Sequence, residues 1–529
     1  MRAWRLRGAG RMKPSKSPDV SPTTALLSSK AKRVNTNLSF DMFPLPRLKT
    51  LVSAFALTSV LVAPLPSAQA QIGTRFPSEK KVVADPVTGV PLTFLTSKPS
   101  GDSKIYQTHH QWTSDGKWVV FRSNRVRAQA MAVNEQTGDI VQVTEAGYAG
   151  MLCLADHSMN LYFLRVPMSA PPPAMTGGEP AYVAPAPAGI SAEKTAPADT
   201  PAPARPRAAG PAQIFRVDLA KLFADSEAGK LHPASVYEKS CGTIPMEWGA
   251  GGDMALDCTE EFAYFRVGKE EAAKHLPAEA KLENDFGPRH MGAGPTGLGK
   301  MNLKTGEVSF VVAVPFQIGH VQTNPWVPGE IVFCWETGGK SPQRTWTVNA
   351  DGTGLRPLYP EAPYEWITHE AVITKDEVAL AILAHRQPGV GVDKPDPWGP
   401  SGAGDHPTGL GIVNLRTREM RIAGQVPMGN PGKSVWHVGG SPDGRWVCAD
   451  DFQYRLWLID RHTGEMILLA DLGHVTTAAD HIHPTFSADS SKIEIQCAML
   501  SENKRTLNIC VVPLPEAWLK RTYTDRLAP

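Results

Sequence analysis

A turn-and-strand phrase that returns along the chain constrains the fold more than any other feature. It reads Asp115-Gly116-Lys117-Trp118 followed by Thr137-Gly138-Asp139, and again Asp443-Gly444-Arg445-Trp446 followed by Thr463-Gly464-Glu465. Partial copies stand at Asp253–Cys258, Thr305-Gly306-Glu307, Asp351-Gly352 and Asp489–Lys492. Between them lie short alternating or β-branched runs bounded by Gly and Asp, which predict strands joined by tight turns. Helical periodicity longer than two turns is nearly absent. From Gln111 onward the units number about seven, inside the range of β-propellers. The expected fold is therefore all-β: a single-domain, seven-bladed β-propeller over residues 71–529. A spare strand around Pro91–Thr96, after Asp85–Gly89, is placed to close the ring against the last blade. A pair of β-sandwiches is the alternative, but it leaves unexplained a repeat kept to the end of the chain. Repetition also suits the length, since 529 residues exceed one ordinary core.

Three segments fall outside this rhythm. Ser169 to Pro211 is dominated by Ala and Pro and predicts a flexible, extended insertion from an early blade. Gln387 to Pro407, rich in Gly, Pro and Asp, predicts a smaller solvated loop. The third is the N-terminus, residues 1–70, which holds 11 of the 54 Lys and Arg but 2 of the 52 Asp and Glu. Within it, Arg47 and Lys49 precede an apolar run from Leu51 to Leu65, and Ser67-Ala68-Gln69-Ala70 offers small residues for cleavage. Residues 42–70 thus read as a signal peptide, and residues 1–41 as an extension outside the working protein. The apolar run is too short to span a bilayer and carries Pro64 and Pro66 at its end. The expectation is an exported, periplasmic protein starting at Gln71, with no membrane span after cleavage. From Gln71 onward 43 basic side chains face 50 acidic ones, which excludes a generally basic nucleic-acid binder. None of the seven cysteines forms a C-x-x-C pair, so they predict buried thiols more than a metal or redox motif.

The histidines are placed in phase. His320, His369, His437 and the pair His481-Ile482-His483 open four consecutive units. In a strand, residues i and i+2 share a face, so His481 and His483 are expected to point one way. Matching positions of successive blades converge near a propeller axis, which makes His437 the natural third partner. Three imidazoles grip one divalent ion. Arg344 lies in Gln343-Arg344-Thr345-Trp346, on the blade that His320 opens.

The segments QRTWTVNADG, EWITHEAV, WHVGGSPDGRWVCADD and DHIHPTFSAD, in this order, resemble those of the oligogalacturonate lyases, polysaccharide lyase family twenty-two. The resemblance runs over roughly Gln71 to Pro513, apart from the Ala/Pro insertion. It implies a seven-bladed propeller that binds a divalent metal, typically manganese, and cleaves short pectin-derived uronides by β-elimination. It places metal ligands on His437, His481 and His483, and the catalytic pair on Arg344 and His369. The family's remaining ligand, a Gln in Q-x-x-H-x-H-P, falls on Ala478. Water, Asp480 or a substrate carboxylate is then left to fill that position.

Such chemistry needs these residue types. Removing the C5 proton of a uronate requires positive charge beside the adjacent carboxylate and a base that is neutral near pH 7. His369 fits the base; Arg344, always protonated, fits a clamp for a carboxylate. The partner expected is a uronate oligosaccharide. The rival expectation is a non-catalytic propeller that binds carbohydrate or protein, since propellers host many functions. A peptidase accessory is disfavoured because no G-x-S-x-G elbow occurs, and no phosphate-binding loop is present. Further from this centre, His109-His110 predicts a rim pair, Arg289-His290 a solvated loop, and Trp326, Trp335 and Trp366 either sugar platforms or fillers between blades.

Overall fold

The computed structural model describes residues 70–167, 210–283, 291–337, 341–362, 365–385, 408–426, 434–476, 478 and 480–522. The expected extension of residues 1–41, the expected signal peptide except Ala70, Arg289-His290, nearly all of the Ala/Pro insertion and the Gln387–Pro407 loop lie outside them.

The described strands form seven antiparallel sheets, each a meander running outward from one inner strand. Blade 1 has its inner strand at Asp102–Lys104, and blade 2 at Ala149–Leu154. Blades 3, 4 and 5 begin with Met254–Leu256, Ile318–Thr323 and Glu365–Thr374. Blades 6 and 7 begin with Val438–Gly440 and Thr485–Phe486.

The recurring phrases are turns within the blades. The Asp-Gly copies of blades 1 and 6 lead into the second strand, whereas Asp351-Gly352 joins the third and fourth strands of blade 4. In blade 6 Ser441 Oγ donates to Asp443 Oδ1 (2.7 Å) and accepts from the Trp446 amide (2.8 Å), while Gly444 takes φ of 71°. Blade 1 repeats this with Thr113, Asp115 and Gly116. The Thr-Gly copy joins the third and fourth strands and again needs a left-handed glycine, Gly138 or Gly464.

The ring closes as the sequence predicts. Pro91–Phe94 pairs antiparallel with Asn508–Pro513, with Thr93 opposite Val511, and Lys81–Ala84 adds a further outer strand to blade 7. Closure joins the two ends of the propeller through backbone hydrogen bonds within blade 7.

The apolar core sits between the blades. Seven buried clusters occupy the seven junctions between neighbours. Trp335 fills the junction of blades 3 and 4, where it stacks on Phe316, and Trp366 that of blades 5 and 6. Both are thus fillers. All seven cysteines are free thiols, five of them buried.

Candidate active site at the propeller axis

The inner strands are not regular. In blade 4 the register slips between Gly319 and Gln322, and in blade 5 between Thr368 and Ala371. The bulged residues, His320 and His369, both take φ of 50°, and His483 takes φ of 47° just ahead of the inner strand of blade 7. Left-handed φ is uncommon for a residue with a Cβ and costs of order 1–3 kcal/mol each. Blade 2 has glycine at the same bulge: Gly150 takes φ of 71°, and a Cβ there would lie 1.9 Å from the Gly252 carbonyl oxygen. A bulge re-aims a side chain without ending the sheet. Blades 4 and 5 use it to present a histidine, and blade 7 reaches a similar left-handed turn at His483 without a bulge.

The structure gathers the candidate residues near the axis. The His437 ring lies 3.7 Å from that of His483, 5.7 Å from that of His481 and 4.2 Å from that of His369, centroid to centroid. His320 stands 5.6 Å beyond His369. The pair His481 and His483 precedes the strand Thr485–Phe486 and is not in it. Their convergence on His437 therefore comes from the bend at His483, not from strand alternation.

Carboxylates surround these rings. Asp450, fully buried on the second strand of blade 6, accepts the His437 backbone N–H at 2.6 Å. Its Oδ2 lies 3.1 Å from His437 Nδ1 and 3.6 Å from His481 Nδ1. Burial works against its charge, but His437 and His481 more than offset this and hold the Asp450 carboxyl below the usual range. Burial, then the nearby His483, pushes the His437 imidazole down to about 3, so it is neutral at pH 7. On His483, Nε2 lies 2.8 Å from Asp480 Oδ1 and Nδ1 lies 2.9 Å from Gln107 Oε1. Ala478 is buried, and its carbonyl accepts the Tyr454 hydroxyl at 2.7 Å.

These residues fit a divalent ion. His437, Asp450 and His481 offer ligand atoms all within 4.8 Å of one another, and His481 Nδ1 is a buried nitrogen with no hydrogen-bond partner among the described residues. Imidazoles with a carboxylate suit the harder divalent transition metals.

A second group, His320, Cys334 and Glu336, has ligand atoms equally close. Its charges are already matched. His320 lies between Glu370 (3.2 Å) and Glu336 (3.3 Å), and Arg344 contacts Glu370 through Nε (3.2 Å) and Glu336 through Nη2 (3.6 Å). Burial opposes the charged form of His320, but Glu370 and then Glu336 raise its pKa above the usual value. Burial likewise works against the charge of Glu370, yet Arg344 and His320 bring it down to about 2. Burial lifts the Cys334 thiol far above its ordinary value, so it stays protonated. The group reads as an ion-pair network that fixes Arg344. Glu361 fixes the backbone of Arg344 as well, accepting the amides of Arg344 (2.8 Å) and Thr345 (2.9 Å).

His369 is 3% exposed and in contact with His437, Trp436 and Tyr106. Burial, then the nearby His437, His320 and Arg344, holds its imidazole well below the ordinary value. Its Nε2 is buried without a partner among the described residues, and its Nδ1 lies 2.8 Å from Tyr106 Oη. A neutral imidazole with one unengaged nitrogen is the form in which a histidine accepts a proton.

Sequence reasoning missed Tyr106, Gln107 and the role of Asp450. Asp450 and Glu370 stood inside the segments that carry the resemblance. Tyr106 and Gln107 carried no signal, because they reach the site only once blade 1 lies beside blade 7. The expected rim pair divides: His109 is buried, with Nε2 donating to the Met254 carbonyl at 2.8 Å, whereas only His110 is exposed, paired with Asp156.

No model of a known protein family matches the sequence, and no curated protein does. Solved structures match in shape. One is an oligogalacturonate lyase in complex with manganese, with TM-score 0.58 and 18% identity over 85% of this chain and 100% of that chain. Another is an oligogalacturonate lyase from Vibrio parahaemolyticus, with TM-score 0.58, 16% identity and the same coverage. At these identities the likeness is one of architecture. The chain has the seven-bladed propeller fold of the oligogalacturonate lyases.

Proposed function

We propose that the protein is an exported, metal-dependent lyase that cleaves short uronate oligosaccharides, oligogalacturonides first among them, by β-elimination. The observation that carries this reading is a neutral, buried His369 with Nε2 unengaged, beside Arg344 and a cluster of three further histidines. His437, His481 and His483 would hold a divalent ion, most simply manganese, with Asp450 and Asp480 in contact with them. Bound there, the ion supplies positive charge for the uronate carboxylate, which makes the C5 proton more acidic.

His369 takes the C5 proton at Nε2. The C–H electron pair forms the C4–C5 double bond, and the C4–O4 bond breaks with O4 taking its electron pair and a proton from water or an unassigned acid. Arg344 faces the substrate carboxylate through Nη1, because Nε and Nη2 are engaged by Glu370 and Glu336. Its guanidinium cannot act as base at working pH; burial works against its charge, yet the surrounding acidic groups still raise its pKa above the usual value. The acidic balance of residues 71–529 disfavours long polyanions, so short oligomers are the expected substrates.

The test is His369→Ala in the manganese-loaded protein. It is expected to abolish formation of the unsaturated product, with manganese affinity within about threefold of wild type. A variant that keeps a tenth of the activity removes His369 as base. One feature favours a second reading, a binding propeller without catalysis: Ala478 offers no side-chain ligand where the family has glutamine. That reading predicts uronide binding by calorimetry without any product.

A further inference from the structure

Blade 1 leaves its inner strand after Lys104 and regains pairing only at Trp112, which bridges Val119. The intervening loop carries Tyr106 and Gln107 into the axis. Tyr106 Oη lies 2.8 Å from His369 Nδ1, and Gln107 Oε1 lies 2.9 Å from His483 Nδ1. Tyr106 also lies edge-on to His483 with centroids 5.5 Å apart. Gln107 is 4% exposed. The next loop residues point away from the site, since Thr108 bonds His109 and His109 bonds Met254. Two adjacent side chains thus each meet the Nδ1 atom of a different site histidine.

A carbonyl oxygen only accepts, so a bond from His483 Nδ1 to Gln107 Oε1 puts a proton on Nδ1, while Asp480 Oδ1, also an acceptor, competes for a proton from Nε2 at 2.8 Å. At His369 the proton is likewise on Nδ1 when Nδ1 donates to the phenol. That arrangement leaves the partnerless Nε2 as the basic atom. Partners of this kind fix tautomer and ring direction in metal-binding and catalytic histidines alike.

We infer that Tyr106 and Gln107 are a paired positioning element, Tyr106 setting the tautomer of His369 and Gln107 holding a proton on Nδ1 of His483 against the competing acceptor Asp480. This rests on the lyase reading for its catalytic consequence, but not for its structural one. The element comes from the N-terminal blade, so the base and a metal ligand are both set only when the ring is closed.

The experiment is nitrogen-15 NMR of histidine-labelled, metal-free full-length protein, with Tyr106→Phe, Gln107→Met and Gln107→Glu. In wild type, His369 is expected as the Nδ1–H form and His483 with a proton on Nδ1. Tyr106→Phe moves His369 toward the Nε2–H form and lowers kcat about tenfold or more, with KM and manganese affinity unchanged. Gln107→Met removes the acceptor at Nδ1, moves the His483 proton to Nε2 facing Asp480, and weakens manganese binding by about 10–100-fold, the range for loss of such a partner. Gln107→Glu keeps an acceptor and restores both. Thermal unfolding confirms that each variant is folded. Tautomers that stay the same in folded Tyr106→Phe and Gln107→Met overturn the inference. Tautomers that shift in a protein with no lyase activity uphold it and sink the lyase reading alone.

Discussion

At His369 burial and charge act together. The site withholds water from the ring and surrounds it with His437, His320 and Arg344, and each of these disfavours the imidazolium. An ordinary histidine loses its basic form below about pH 6.5, and a base-dependent rate falls about tenfold per unit there. Here the protonated form is suppressed, so kcat/KM is expected to stay flat from pH 8 to below 6; a midpoint near 6.5 in the pH profile would contradict the assignment. The same physics predicts stability at His109. Burial brings its pKa down from 6.5 to about 4. The unfolded chain therefore takes the proton first, and stability is complete above about pH 6.5 and declines as pH falls toward 4. The slope from one such group is about 1.4 kcal/mol per pH unit. Replacing His109 by Gln should remove about that much slope from chemical denaturation measured at pH 6.5, 5.5 and 4.5.

Blades were readable because their turns are chemically specific. Asp443, Gly444 and Ser441 cooperate in a turn that few other residues can make, so the phrase could be recognised wherever it recurred. The bulges were not readable. Histidine at φ of 50° has no sequence signature, and only the slipped register at Gly319 and Thr368 reveals it. The seam between blades 1 and 7 was hidden for a different reason: its partners lie hundreds of residues apart. There Lys104 Nζ donates to Thr485 Oγ1 at 2.7 Å and stands 3.9 Å from the Glu494 carboxylate, both side chains being almost fully buried. Burial pushes Lys104 down to about 8 and Glu494 up to about 7. Removing one partner leaves a buried charge uncompensated, a cost of about 3–5 kcal/mol. Lys104→Met should therefore lower the unfolding free energy by several kcal/mol, and Glu494→Leu added to it should restore much of the loss. A double variant as unstable as the single one would show that the seam does not depend on the pair.

For the whole molecule, the sequence carried the ring, its closing strand and most of the histidine centre, and the shape shared with the lyases agrees with it. The residues that set ring directions, Tyr106, Gln107 and Asp450, are products of assembly; no local pattern encodes which side chains meet across an axis. The charge split at residue 70 leads to a prediction about maturation: protein recovered from outside the cytoplasm should have an intact mass that starts at Gln71, and a mass retaining residues 42–70 would refute cleavage there. The central claim is metal-dependent elimination at the axis. Its most direct test strips the protein of metal, resupplies manganese, and follows ultraviolet absorbance of the unsaturated uronate during incubation with short oligogalacturonides and other uronate oligomers. The account predicts an absorbance change that appears only with manganese and vanishes in His369→Ala. A folded, manganese-loaded protein that changes no uronide would contradict it.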